Sequence, residues 1–308
     1  MKEKQDKWVF IINPAAGNGF AGKYSDKVNE MIVKNKVNAE TVFTKRKGHA
    51  TQIAHEFVEK GFNHIIAVGG DGTINEIIHG IIDNSNVTLG IVAAGTGNDF
   101  IQILGFSGEF SENDWKIFFE KNIMQMDVGK CNDNFFLNGM GLGFDAQVAA
   151  ENYDQKGEVK EGSNSKYLWH ILKTLLFYKE HNMYSFSDGQ RQSTKCFINT
   201  IAIGRRFAGQ YFLTPKAYAN DGLLDVCMIK ELAFIERIKI FLKVPKGEHI
   251  EDKNVNYYQT DKLKLEFDKD VPHHLDGELF FSSKFDVSIL PAKLNFIYNP
   301  YGNHYFKP

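Results

Sequence analysis

The sequence predicts an α/β domain built on a mostly parallel sheet, followed by an antiparallel β-sandwich domain. Two observations carry this. Through the first third, compact apolar runs alternate with segments whose apolar residues recur at helical spacing; after about residue 122, short segments of alternating polarity take over. At 308 residues two domains are expected, each able to bury a core without disulfides.

WVFII at 8–12 reads as the first strand, and Tyr24, Val28, Met31 and Ile32 then mark a helix. AETVF at 39–43 is a second strand. It leads to a helix whose face is Ile53, Ala54, Phe57 and Val58, with Gly61 as its stop. HIIAV at 64–68 is the third strand. Beyond it Ile74, Ile77, Ile78 and Ile81 keep an i, i+3, i+4, i+7 pattern, and VTLGIVAA at 87–94 closes the series. This β-α-β-α-β-α-β rhythm is satisfied by a mostly parallel sheet with helices on its faces.

SENDWKIFFEKN at 111–122 predicts one more helix, and QMDVGKCNDNFFLNGM predicts two strands joined by a hairpin turn at Asn132-Asp133. From Met183 to about Pro291 come KCFINTIAIG, LLDVCMIK, DKLKLEFD, ELFFSS and KFDVSIL, all strand-like, after a helical excursion at about 145–179. The polar DQKGEVKEGSNSK at 154–166 reads as a mobile segment, and KLNFIYNP at 293–300 as a strand returning to the first domain. The domains expected are therefore 1–128, with 292–308 returning to it, and 129–291.

Composition narrows the function classes. Apolar residues at 43% and charged residues at 24% argue against disorder and fibres, and a net charge of -2 disfavours a general nucleic-acid binder. Cys131, Cys196 and Cys227 are odd in number and far apart, fitting neither a disulfide framework nor a CxxC metal site, so a reducing cytosol is expected. The N-terminal apolar run is too short for a signal peptide. YLWHILKTLLFY at 167–178 is broken by His170 and Lys173 and does not read as a membrane span.

Three glycine-bearing loops follow predicted strands, where open α/β sheets bind ligands. NPAAGNG at 13–19 offers Pro14 for the turn and Gly17 and Gly19 for close approach, although a strand-to-helix turn alone asks for similar residues. GGDGT at 69–73 surrounds Asp71 with Gly69, Gly70 and Gly72. A phosphate nest should not contain a carboxylate unless a cation lies between, so Asp71 suggests Mg²⁺; the alternative is an N-cap for the helix that follows. GTGND at 95–99 repeats the design and ends on Asp99. Together the loops suggest a nucleoside triphosphate with a metal. No GxxxxGK[ST] occurs, and GMGLG at 139–143 lacks a βαβ context, which disfavours P-loop and Rossmann readings.

In order along the chain, NPAAG, VGGDGTINE, GTGNDF, FLNGMGLGFDA, ANDGLLDV and LDGE resemble the soluble diacylglycerol kinase catalytic-domain family, which includes bacterial lipid kinases and the related sphingosine and ceramide kinases. The resemblance spans roughly residues 8–290; GGDGT alone is shared with NAD kinases and is similar to a phosphofructokinase loop, which implies that kind of N-terminal domain. It implies ATP as phosphoryl donor, bound by Asn13, Pro14, Ala15, Ala16, Gly17, Thr44, Gly70, Asp71, Gly72, Thr73, Ile74, Asn75, Glu76 and Thr96. It implies a water-linked Mg²⁺ network on Asp71, Asp99 and Asp127, and a structural Mg²⁺ held by Asp221 with the backbone carbonyls of Tyr218 and Leu223. Glu278 would be the general base that takes the proton from a lipid hydroxyl, with Asp71 also catalytic and the part of Asp276 left open.

The implied partner is a lipid at a membrane surface, met reversibly by a cytoplasmic protein, with a homodimer left open. KRKGH at 45–49, GRRF at 204–207 and YLWHILKTLLFY are candidate membrane contacts, each also readable as ordinary surface or core. Two other readings compete: an NAD kinase, on GGDGT alone, and a non-catalytic nucleotide or lipid sensor, on the departures from the family pattern near 203–210, Ile203-Gly204 among them.

Overall fold

The computed structural model describes residues 6–84, 86–152, 173–187 and 190–308; the polar segment at 154–166 and the first half of YLWHILKTLLFY lie outside these. The chain divides into two compact units. The first contains residues 1–128, Tyr218–Gly222 and Leu290–Pro308, and the second Gly129–Ala217 and Leu223–Ile289. Residues 218–222, placed by their sequence position in the β-rich domain, belong to the first unit.

In the first unit the elements are β1 (Trp8–Ile12), α1 (Phe20–Lys34), β2 (Ala39–Phe43), α2 (His49–Glu59), β3 (His64–Gly69), α3 (Asp71–Ile81), β4 (Thr88–Ala93), α4 (Phe100–Ile103), α5 (Glu112–Glu120) and the start of β5 (Ile123–Cys131). β1 pairs in parallel with β2 and β3, β3 with β4, and Asn295 and Phe296 of β13 (Glu278–Ile297) with Thr88 and Leu89. β1, β3 and β4 are buried at every residue, as expected of strands covered on both faces, while β2 is only partly buried. Ser111 closes a capping box with Asp114 at the start of α5: its hydroxyl accepts from the Asp114 N–H at 3.1 Å and its own N–H donates to the Asp114 carboxylate at 2.9 Å.

The second unit holds the end of β5, β6 (Asn134–Phe136), β7 (Gly139–Gly143), α6 (Phe144–Asn152), β8 (His181–Ser187), β9 (Gln190–Ala202), β10 (Leu224–Lys230), α7 (Phe234–Lys243), β11 (Val255–Thr260), β12 (Lys262–Leu275) and most of β13. Its pairings are antiparallel. Cys131 pairs with Asn134 across the Asn132-Asp133 turn, with Asn132 at φ 52°, as a two-residue hairpin requires.

β7 and β8 share one lane. Gly143 faces Ile198 on β9 and His181 faces Cys196, two positions along, while both strands also pair with β12. The chain therefore leaves this lane at Gly143 and re-enters it at His181. Gly143 has φ 105°, and a side chain there would meet the Ile198 Cα at 3.3 Å, so only glycine allows the exit.

Candidate functional site

The three glycine loops sit at the carboxyl ends of β1, β3 and β4, and they are bound to one another. The Asn13 side-chain amide donates to the Thr73 hydroxyl at 3.3 Å, and its carbonyl oxygen accepts the Ala15 N–H at 3.2 Å. Gly17, at φ 61°, lies so close to β4 that a Cβ would fall 2.6 Å from the Ala94 carbonyl oxygen. Gly70 and Gly95 meet backbone to backbone: a Cβ on Gly95 would be 2.7 Å from the Gly70 nitrogen, and one on Gly70 would be 2.8 Å from the Gly97 carbonyl oxygen. Asn98 then closes its own loop, donating to the Gly95 carbonyl at 2.9 Å and accepting the Gly95 N–H at 3.2 Å. Thr44 is buried at the end of β2 and donates its backbone N–H to the Ile12 carbonyl at 2.8 Å, beside Asn13. Ala15 and Thr96 are exposed.

Packing thus explains Gly17, Gly70 and Gly95. It does not explain Gly72, whose absent Cβ has nothing within 4 Å and whose φ is not positive.

Two of the expected nucleotide residues have other duties. Ile74 is 1% exposed and belongs to the core, because α3 must bury this face on the sheet. The Glu76 carboxylate accepts the Ala50 N–H at 3.2 Å, satisfying a donor in the first turn of α2. Asn75 is also buried.

Asp71 is not the cap of its own helix. Gly70 holds that position, and the Asp71 carboxylate reaches across to accept the Asp99 N–H at 2.9 Å and the Phe100 N–H at 3.1 Å, where α4 begins. It thereby caps the helix opened by the neighbouring loop. Asp127 is 1% exposed, and its two oxygens accept the Gly222 and Ala292 N–H groups, each at 2.7 Å, while its own N–H donates to Ala219 at 2.9 Å. Burial raises its pKa, the two N–H groups oppose this, and the nearby Asp221 raises it further. Among the described residues no three His, Cys, Asp or Glu side chains gather as direct ligands of a metal ion. Each Asp71 oxygen accepts one of these N–H groups and has a further lone pair for a water proton, so what Asp71 can offer a cation is contact through water.

In the second unit, LDGE forms a two-residue turn between β12 and β13, with Leu275 paired to Glu278, Asp276 at φ 48° and Gly277 at φ 89°. The Asp276 carboxylate accepts three backbone N–H groups: Leu137 at 2.7 Å, Asn138 at 2.9 Å and Gly139 at 2.9 Å. It is a fastener for the start of β7, and Glu278 stands at the first position of β13, partly exposed.

Residues 7–131 match the diacylglycerol kinase catalytic domain, and residues 139–298, over half of the chain, match the YegS C-terminal NAD kinase beta sandwich-like domain. The chain belongs to the diacylglycerol kinase family of lipid kinases. Among curated relatives of this lipid kinase are "Diacylglycerol kinase" of Bacillus subtilis (strain 168), 28% identical with 87% of this chain and 88% of that one covered, and a "Probable lipid kinase YegS-like" of Chromohalobacter salexigens, 28% identical over 80% and 79%. A crystal structure of a Bacillus anthracis str. Sterne protein assigned as a diacylglycerol kinase superposes with a TM-score of 0.79 at 26% identity, covering 97% of both chains. No described helix of the lipid kinase is long and apolar enough to cross a membrane.

One pair near the hairpin escaped the sequence reading. In this lipid kinase His274 Nε2 lies 3.3 Å from an Asp145 oxygen, both side chains largely buried. The bare Gly141 makes room, since a Cβ there would overlap both groups. The signal available was the glycine spacing in GMGLGFDA, which has no meaning until β7 and β12 are known to be neighbours. Arg205 and Arg206 of GRRF are partly buried: the Arg205 Nε donates to the Ala217 carbonyl at 2.7 Å and the Arg206 guanidinium lies 4.8 Å from the Phe212 ring centre, so neither stands out as an open membrane contact.

Proposed function

We propose that the loops at 13–17, 69–73 and 95–99, with Thr44, bind ATP with Mg²⁺, and that Glu278 accepts the proton of a lipid hydroxyl as it attacks the γ-phosphoryl group. The acceptor is diacylglycerol or a similar amphiphile, giving phosphatidic acid or an analogue. The observation that carries the nucleotide side is the contrast among glycines: Gly17, Gly70 and Gly95 are demanded by packing, whereas Gly72 is open at the first turn of α3, where backbone N–H groups favour phosphate. Thr73 and Asn13 orient that turn, and Asp71 holds the adjacent helix start in register. When bound, Mg²⁺ neutralises charge on the phosphoryl oxygens. Asp71, Asp99 and Asp127 would hold it through water, and Asp221 with the Tyr218 and Leu223 carbonyls is the candidate structural site, with the buried carboxylate of Asp127 close to Asp221.

In this reading the first unit, in the manner of NAD kinase and phosphofructokinase domains, supplies the donor side and the β-rich unit the acceptor side. The protein would meet its lipid as a reversible peripheral partner of a cytoplasmic membrane face. Asp276 fixes the turn that presents Glu278, so the two carboxylates divide positioning from proton transfer.

The test follows labelled γ-phosphate into a lipid extract. Glu278→Gln is expected to lower kcat by about 10²–10⁴-fold with ATP affinity retained. Equal turnover in the variant would remove Glu278 from the chemistry. Labelling of NAD instead of lipid would favour the NAD kinase reading, and ATP binding without any labelled acceptor the sensor.

A further inference from the structure

α7 is apolar on both sides. Its inner face, Ile240 and Val244 after it, is buried together with the ion-paired Arg237. Its outer face is not: Ile235 is 66% exposed, Ile238 37% and Leu242 70%, a stripe at i, i+3 and i+7, with Phe234 at its edge. Along one side of the stripe run Lys239, Lys243 and Lys246, of which Lys239 and Lys246 are exposed. A second exposed pair, Leu176 at 50% and Phe177 at 69%, is anchored beside this helix. The Arg237 guanidinium donates to the Leu175 carbonyl at 2.8 Å and the Tyr178 carbonyl at 3.2 Å and pairs with Glu180 at 2.6 Å, and Leu175 shares a buried cluster with Leu232 and Ile240. Lys173 and Lys179 flank this pair and are exposed.

We propose that the outer face of α7, together with Leu176 and Phe177, seats the protein on an anionic lipid bilayer. An exposed apolar stripe along one helix, with a second exposed apolar pair on the segment anchored to that helix, calls for a partner, and a border of lysines selects one with negative charge at its surface and hydrocarbon below. Most carboxylates close by in sequence are already engaged: Glu180 with Arg237, Glu231 with Lys195 at 3.0 Å, Asp252 with Lys243 at 3.1 Å, Glu251 with Lys216 at 3.8 Å, and Glu236 on the Ala233 N–H; the exposed Glu248 stands against four exposed lysines, Lys173, Lys179, Lys239 and Lys246. The lysine stems can lie along the apolar stripe while their ammonium groups stay at headgroup level. A helix of this kind lies in the plane of the interface and does not span it. The proposal rests on the lipid-kinase reading only in that a lipid acceptor has to be met where it resides.

Vesicle flotation tests it, using phosphatidylcholine vesicles with and without phosphatidylglycerol. The wild-type protein is expected to float with the mixed vesicles, less so in high salt. Ile235→Ser/Leu242→Ser is expected to lower partitioning by about tenfold while leaving thermal stability and turnover of a short-chain diacylglycerol in detergent micelles unchanged. Lys239→Glu/Lys246→Glu should abolish the preference for phosphatidylglycerol. Two results would overturn the proposal: both double variants floating like the wild type, or the apolar variant turning a dimer into a monomer in sedimentation velocity with flotation intact, which would make the face a self-interface. If no lipid were phosphorylated but flotation fell in the variants, docking would stand and the kinase assignment of Glu278 would fail.

Discussion

His273 and Asp276 show how neighbouring polar residues take unrelated burdens. His273 is 4% exposed, stacked on Phe280 at 5.7 Å and edge-on to Phe285 at 4.9 Å. Burial is the main cause that lowers its pKa to about 4, with His274 adding to it and the Val271 backbone opposing. The neutral ring is thus preferred in the folded state, and the unfolded chain binds the extra proton first. Stability is complete above about pH 6.5 and falls as pH drops towards 4, by up to about 3 kcal/mol. Urea midpoints of His273→Phe should lose most of that slope between pH 6.5 and 4; an unchanged slope would shift the effect to another group. Asp276 illustrates what sequence could not decide. LDGE reads equally as strand or turn, and only the turn turns its carboxylate onto the N–H groups of residues 137–139, which lie far away in the chain. Asp71 was legible as a carboxylate with a purpose, but the N-cap it serves is that of α4, a relation that exists only once two loops lie side by side.

At the level of elements, periodicity was enough. Strands β1 to β4 and helices α1 to α3 fall where apolar spacing puts them, since each must bury one face or both. The shared lane of β7 and β8 was invisible, because the register that joins Gly143 to His181 passes through β9 rather than along the chain. The outer stripe of α7 escaped for a related reason: apolar residues on both faces of a short helix look like simple burial until exposure separates them. The glycine loops yield a paired expectation. Gly95→Ala forces the Gly70 backbone to move and should cost about 3 kcal/mol or more in unfolding free energy. Gly72→Ala fills open space in a helix and should raise stability by up to about 1 kcal/mol while weakening ATP binding in calorimetry. If Gly72→Ala bound ATP normally, the open glycine would not be the phosphate contact.

For the molecule as a whole, Asp127 is the most consequential single side chain. It draws residues 222 and 292 onto β5 within the first unit, and neither partner is suggested by sequence distance. Asp127→Ala leaves two N–H groups without an acceptor and is expected to cost about 3 kcal/mol or more, read as a lowered thermal midpoint; retention of the wild-type midpoint would contradict the role. The return of the chain near 293 was legible from its apolar run, but the short visit of 218–222 to the first unit was not, since NDG is also an ordinary turn. There is a consequence in time. The Asp127 acceptors find one donor only at Ala292, and β4, already paired with β3, finds its second parallel neighbour only at Asn295 and Phe296. During synthesis the segment carrying the glycine loops therefore leaves the ribosome well before residues 292–296, which complete its sheet and its buried carboxylate, and through that interval its unpaired strand edge is open to aggregation.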